Sequence, residues 1–104
     1  MRIYLDDVRD PTKYNAWGDK LVWDKVCRRA DEVIDLVKSG VVTFISFDHD
    51  LGTEMTGYTV AKIIEELAFS KQIQPIDYAV HSANPIGAKA IDTAMKKAWT
   101  YWKS

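Results

Sequence analysis

Three short clusters of polar side chains carry the residue types that do chemistry, and each follows directly after an apolar run. The clusters are Asp6, Asp7 and Arg9, then Asp48, His49 and Asp50, and finally His81, Ser82 and Asn84. Both histidines of the chain are among them. Neighbouring carboxylates raise one another's pKa, so a group of four needs a cation to stay ionised. These residue types therefore predict a divalent metal site.

The predicted metal ligands are the four carboxylates of Asp6, Asp7, Asp48 and Asp50. Ligation by oxygen atoms alone suits Mg²⁺ or Mn²⁺, which are the cations we expect. Recruitment of His49 or His81 would shift the preference toward manganese, zinc or iron. The residue types leave the choice among these metals open.

A phosphate-binding element is expected after the third apolar run. Asn84 and Pro85 are typical of the N-cap and first residue of a helix. A helix N-terminus presents backbone N–H groups and a positive dipole end, and Gly87 permits close approach of a ligand. The predicted phosphate-binding residues are Ser82, Asn84, Gly87 and Arg9. Imidazole titrates near neutral pH, so His49 and His81, together with Asp50, form the predicted catalytic set.

The apolar runs before the clusters predict the strands that position them. They are Ile3 to Leu5, Val41 to Phe47 and Ile76 to Val80, with a weaker fourth candidate from Leu21 to Val26. The second run is almost continuously β-branched or aromatic, which is typical of a central strand buried on both faces. Apolar residues at helical spacing predict helices over Asp31 to Ser39, over Tyr58 to Ser70 and after Asn84, with Trp99 and Trp102 in the apolar stripe of the last.

The alternation of strands and helices predicts an α/β fold, a small doubly wound parallel sheet of about four strands. In such a sheet the ligand crevice lies outside the carboxyl ends of the strands, so we expect the three clusters to meet there. The segment Pro11 to Lys20 is too short and broken for a crossover helix. It predicts an irregular flap, in which Tyr14 and Trp17 could cover a base or a ribose.

Composition narrows the partners and the compartment. The length of 104 residues suits one domain over positions 1–104. A net charge of -1 gives no global field to hold duplex DNA. No apolar stretch approaches the roughly 20 residues that span a bilayer, so no membrane partner is expected. The single cysteine, Cys27, cannot form an intramolecular disulfide, which favours a reducing cytoplasm.

The motifs, taken in order, resemble those of one family. The segments LDDVRDP at 5–11, ISFDHDLG at 45–52, GY at 57–58 and HSANPIG at 81–87 are similar to the cyclic-phosphate-processing receiver-like domains of bacteria and phages. DHDLG followed by HSANPxG is a specific combination, and the resemblance covers nearly the whole chain. It implies a flavodoxin-like, receiver-like fold that is truncated after the fourth helix of a receiver.

The likeness to response-regulator receivers also implies roles for individual residues. Asp6 and Asp7 would bind metal, Asp48 or Asp50 would occupy the phosphoacceptor region, and Ser82 would stand for the receiver's hydroxyl residue. The fifth strand with its sensing lysine is not expected, so phosphorelay switching is not either. The leading hypothesis is a metal-dependent phosphodiesterase that opens a cyclic phosphate, on either a 2′,3′-cyclic RNA end or a cyclic nucleotide.

Structural and noncatalytic explanations remain open as alternatives to this hypothesis. The first two clusters are also explained as turns at strand ends, and His81 as a neutral core histidine beside a helix cap. A noncatalytic module that captures a phosphate ligand or a protein partner needs the same pocket without proton transfer. A degenerate receiver that forms a homodimer through the exposed face of the last helix is the third hypothesis.

Overall fold

The computed structural model describes residues 1–11 and 22–104. The elements in chain order are β1 (Arg2–Leu5), β2 (Lys25–Cys27), α1 (Ala30–Lys38), β3 (Phe44–Phe47), α2 (Gly57–Phe69), β4 (Asp77–Val80) and α3 (Pro85–Lys103). All strand pairs are parallel, in the order β2-β1-β3-β4. This confirms the predicted α/β fold with a four-stranded parallel sheet. The expected flap, including Tyr14 and Trp17, lies outside the described residues from position 12 onward.

Two strands begin at least three residues later than their apolar runs predict. The N–H of Arg2 donates to the carboxylate of Asp24 at 2.7 Å, and the paired residues of β2 begin at Lys25, which lies opposite Ile3. β3 starts at Phe44, where its pairing with Arg2 begins. The preceding residues are still tied to the chain start, because the N–H of Thr43 bonds to the carbonyl of Met1 at 2.9 Å.

The core lies on the face of the sheet that carries the odd-numbered residues of β1 and β3. Ile3, Leu5, Ile45 and Phe47 are fully buried there. α2 contacts both α1 and α3, so the three helices form one continuous layer. β1 has β2 on one side and β3 on the other, and the direction of the chain across the sheet reverses at this point. In doubly wound sheets this reversal opens a crevice at the carboxyl ends of the two central strands.

The last helix confirms the pattern predicted for it. Its buried stripe consists of Gly87, Ile91, Ala94, Met95 and Ala98. The indole N–H groups of Trp99 and Trp102 donate to the carbonyls of Ile76 and Ile73, which anchors the half-buried end of the helix. Within residues 1–11 and 22–104, no helix combines the length and the apolar character needed to cross a bilayer.

The N-terminus of α2 packs against the backbone of the loop after β3. Thr56 caps this helix, and its hydroxyl accepts a hydrogen bond from the N–H of Thr59. The next residue, Gly57, donates its N–H to the carbonyl of His49 at 2.9 Å. A Cβ at Gly57 would overlap the carbonyl oxygen of Asp48, which is backbone and cannot swing away. Gly57 thus sets the close approach of α2 to this loop.

We expect Gly57→Ala to destabilise the fold by about 1–3 kcal/mol, as overpacking against fixed atoms does. The matched control is Gly40→Ala. Gly40 follows the C-cap of α1 at φ +83°, and a methyl group added there would meet no atom within 4 Å, so its cost is backbone strain alone. Urea unfolding measures both losses. Amide NMR shifts at positions 48–50 should change in the Gly57 variant only, and unchanged shifts there would contradict the packing argument.

Candidate functional site

Three carboxylates come together at the carboxyl ends of the two central strands. Asp6 and Asp7 follow β1, and Asp48 follows β3, whose last residue lies opposite the last residue of β1. One carboxylate oxygen of each lies within 4.8 Å of the others. Asp6 and Asp48 are buried, and Asp7 is partly exposed. The first two predicted clusters therefore share one rim of the sheet.

Asp6 is the most fully bonded member of this carboxylate cluster. Its Oδ1 accepts the N–H groups of Val8 at 3.0 Å and Arg9 at 2.8 Å. Its Oδ2 accepts from Nε of Arg9 at 2.8 Å and faces Nε2 of His81 at 3.1 Å. Burial alone would raise the pKa of Asp6. These hydrogen bonds and the charge of Arg9 outweigh that effect and hold the pKa below its usual range. The turn at a strand end that the sequence also allows is therefore present after β1, closed by the salt bridge between Arg9 and Asp6, and it holds Asp6 ionised.

Arg9 lies between two of the three carboxylates. Besides its bond to Asp6, its Nη2 is 3.5 Å from Oδ1 of Asp48, and about half of its side chain is exposed. One guanidinium offsets one of the three negative charges, which leaves an excess of negative charge among oxygen donors. Hard divalent cations such as Mg²⁺ and Mn²⁺ prefer such donors. Asp7 and Asp48, with Asp6 beside them, are the residues that could hold one.

Asp50 was predicted as a fourth ligand but lies outside this carboxylate cluster, which among the described residues comprises Asp6, Asp7 and Asp48. Its exposed carboxylate is instead 2.8 Å from Nδ1 of His49. Hydrogen bonding from His49, and then from Asn84, lowers the pKa of Asp50. The physical reason is local: the N–H of His49 bonds to Asp48, and its ring bonds to Asp50, so the two carboxylates serve different sides of one histidine.

His81 is held on both sides of its ring. Nδ1 is 2.7 Å from Oγ of Ser46, and Nε2 is 3.1 Å from Oδ2 of Asp6. Tyr4 stacks on the imidazole, with ring centroids 4.4 Å apart and planes at 6°. Burial lowers the pKa of His81 despite the nearby carboxylates, which favours the neutral ring. A neutral ring protonated at Nε2 satisfies both contacts, because Nε2–H donates to Asp6 and the Ser46 hydroxyl donates to Nδ1.

Ser46 and Tyr4 belong to the site although the sequence predicts them only as strand residues. They lie opposite each other in the β1–β3 register, on the face of the sheet away from the buried core residues. Ser46 is nevertheless only 6% exposed. A buried hydroxyl needs a hydrogen-bond partner, so a lone serine inside an otherwise apolar central strand was the signal that could have revealed this contact.

The predicted phosphate-binding segment is engaged in capping α3. The carbonyl oxygen of the Asn84 side chain accepts the N–H of Gly87 at 3.0 Å, which confirms the predicted N-cap. Oγ of Ser82 accepts the N–H of Asn84 at 3.1 Å. The open space expected at Gly87 is absent, because a Cβ there would overlap the ring of His49. The absence of a side chain at Gly87 therefore lets α3 pack against His49.

Comparison with known protein families agrees with this geometry. The family model described as "Cyclic-phosphate processing Receiver domain" matches residues 1–97, which include all three clusters. The chain belongs to the cyclic-phosphate processing receiver domain family. Neither the curated proteins nor the solved structures contain a significant match to it. Membership links this receiver-like domain to cyclic-phosphate processing and confirms the resemblance drawn from the motifs.

Removal of the Ser46 hydroxyl should leave Nδ1 of His81 without its hydrogen bond. We expect Ser46→Ala to cost about 1–3 kcal/mol of stability, the penalty for an unsatisfied buried acceptor. Ser39→Ala, which removes an exposed hydroxyl bonded to the carbonyl of Leu36, is the control and should cost much less. Urea unfolding measures both. Nitrogen NMR of the imidazole should find the proton of His81 on Nε2, and a proton on Nδ1 alone would contradict the arrangement.

Proposed function

We propose that this domain is a metal-dependent phosphodiesterase that opens a cyclic phosphate, either a 2′,3′-cyclic RNA end or a cyclic nucleotide. One observation carries the proposal: the cluster of Asp6, Asp7 and Asp48 shares a sheet edge with the paired side chains of His49 and Asp50. An acidic oxygen site beside an oriented imidazole provides the two components that phosphate ester hydrolysis requires. Family membership supports the substrate class.

The carboxylates would hold the metal. Asp7 is the most accessible of them, and Asp48 adds a buried oxygen beside it. Asp6 already accepts bonds at both of its oxygens, so its main part is to keep Arg9 and His81 in place. A divalent cation bound here supplies positive charge that offsets the charge of the phosphate oxygens. Arg9, half exposed beside Asp48, would contact a phosphate oxygen as well.

His49 is the residue we propose for proton transfer. Its Nδ1 bonds to Asp50, and a proton on Nδ1 leaves the lone pair of Nε2 available as a base. In this role Nε2 removes a proton from water as the water oxygen bonds to phosphorus. One ester bond from phosphorus to a ribose oxygen breaks, and that oxygen takes up a proton. An imidazole oriented by a carboxylate is a recurring form of general base.

His81 has a different part in this proposal from His49, although both residues belong to the catalytic set that the sequence predicts. Both of its ring nitrogens are engaged, by Ser46 and by Asp6. We therefore infer that His81 positions Asp6 and does not exchange protons with the substrate. Because both ring nitrogens of His81 already have hydrogen-bond partners, this histidine also favours the second candidate function. That function is a noncatalytic module that binds a phosphate ligand and leaves it intact.

Metal binding can be tested apart from catalysis. Asp7→Asn and Asp48→Asn should weaken Mn²⁺ binding at least about tenfold, because each removes a charged ligand oxygen. Asp50→Asn should leave the affinity nearly unchanged. Asp77→Asn is the control. Asp77 is exposed at the amino end of β4, whereas the carboxylate cluster lies at the carboxyl ends of the strands. Electron paramagnetic resonance of Mn²⁺ titrations measures the affinity, and equal loss in the Asp50 and Asp7 variants would contradict the assignment.

Catalysis is tested by phosphorus NMR of 2′,3′-cyclic and 3′,5′-cyclic nucleotides and of cyclic-ended RNA, with Mg²⁺ or Mn²⁺. Loss of a general base typically lowers a rate by about 10²–10⁴-fold, which is the reduction expected for His49→Ala. Asp77→Asn should react at the wild-type rate. Absence of ring opening for every substrate, or an undiminished rate in His49→Ala, would remove the catalytic proposal. Tight retention of an intact substrate would identify the noncatalytic module.

A further inference from the structure

A groove lies between α2 and α3, and none of its lining residues belongs to the carboxylate cluster. Its volume is about 500 Å³, which falls within the range of small-molecule sites. The side chains that matter for its chemistry are Tyr58, Lys62 and Glu65 of α2 with Ile86, Lys89 and Lys97 of α3. Tyr58 and Ile86 are exposed apolar residues near the start of each helix, and the lysines and Glu65 extend along the groove.

Glu65 is an unusual residue to find in this groove. Its side chain is only 8% exposed, although it carries a charge. Oε2 accepts from Nζ of Lys62 at 2.6 Å, whereas Nζ of Lys97 is 4.0 Å from Oε1 and too far for a hydrogen bond. Among residues 1–11 and 22–104, Oε1 has no hydrogen-bond partner. Nε1 of Trp23 is the one sealed polar side-chain atom lacking a partner there, so Oε1 is not sealed from solvent, and Lys97 beside it lines the groove.

The groove therefore suits a ligand whose two ends differ in chemistry. A carboxylate only accepts hydrogen bonds, so the end that meets Glu65 must carry N–H donors. Three lysines line the groove against that single acid, so its net charge is positive and favours a ligand whose other end is negatively charged. Tyr58 is 38% exposed and offers an aromatic surface on which a planar ring can stack.

We propose that this groove binds a guanine nucleotide, with Glu65 accepting hydrogen bonds from the base and Lys89 contacting the phosphate. Guanine is the one common base with two adjacent N–H donors on its pairing edge. Adenine and cytosine place a ring-nitrogen acceptor beside their amino group, which a carboxylate repels. In uracil, carbonyl oxygens flank the N–H on both sides.

Glu65 lies away from the proposed catalytic residues, and the nucleotide proposal does not rest on the phosphodiesterase proposal. Glu65 lies eight residues beyond Gly57 on α2, which corresponds to about 12 Å along the helix axis. Gly57 is the residue of α2 that touches the backbone of Asp48. The two proposals can therefore fail independently.

The test is calorimetry on the full chain with GMP, AMP, IMP and inorganic phosphate, in the presence of a chelator. GMP should bind at least about tenfold more tightly than AMP, as a paired hydrogen-bond contact discriminates between bases. IMP, which lacks the amino group of guanine, should fall between them. Glu65→Gln should abolish the preference for GMP. Glu66→Gln, a change at the exposed neighbour outside this groove, should retain it.

Two further variants keep the result decisive. Lys89→Met should weaken GMP and AMP to the same degree, because Lys89 lines the groove without being paired to Glu65. Asp7→Asn should bind GMP like the wild type. The proposal is overturned by equal affinity for GMP and AMP, by GMP binding no tighter than phosphate, or by a preference that survives in a folded Glu65→Gln protein. Loss of GMP binding in Asp7→Asn would place the ligand at the carboxylate cluster and overturn it as well.

Discussion

The fully buried carboxylate of Asp6 is the group around which the rest of the site is arranged. Burial of a charge is costly unless hydrogen bonds and an opposite charge compensate it. Here the compensation comes from the turn that follows β1, from the guanidinium of Arg9 and from His81 beyond the end of β4. The requirement to satisfy Asp6 thus joins parts of the chain that are far apart in sequence and fixes the orientation of both partner side chains.

This constraint separates the two histidines into different environments. His81 is enclosed by Asp6, Ser46 and Tyr4, with contacts above its ring and at both nitrogens. His49 packs against Gly87 and reaches outward to the exposed carboxylate of Asp50. His81 therefore has the contacts of a structural residue, whereas His49 has those of a residue that can contact a ligand. Asp7 and Asp48 lie beside Asp6 at the carboxyl ends of the strands, and this cluster carries an excess of negative charge.

Much of the fold follows from the order of the apolar runs, whereas the details of the site do not. The strands end where the acids and His81 begin, and parallel strands place those ends on one edge, so the meeting of Asp6 with Asp48 was predictable. Asp48 and Asp50 differ by two positions in an irregular loop, and no periodicity tells which of them turns inward. The role of Gly87 depends on how closely α3 approaches His49. That distance is set by tertiary packing, which local sequence does not encode.

The most direct test of this account is anomalous diffraction from crystals of the domain soaked in Mn²⁺. It locates a bound cation without reference to any reaction. The account predicts one strong peak between the carboxylates of Asp7 and Asp48, with His81 still bonded to Ser46. A peak held by Asp50 or His49, or the absence of a peak at this rim at saturating Mn²⁺, would contradict it.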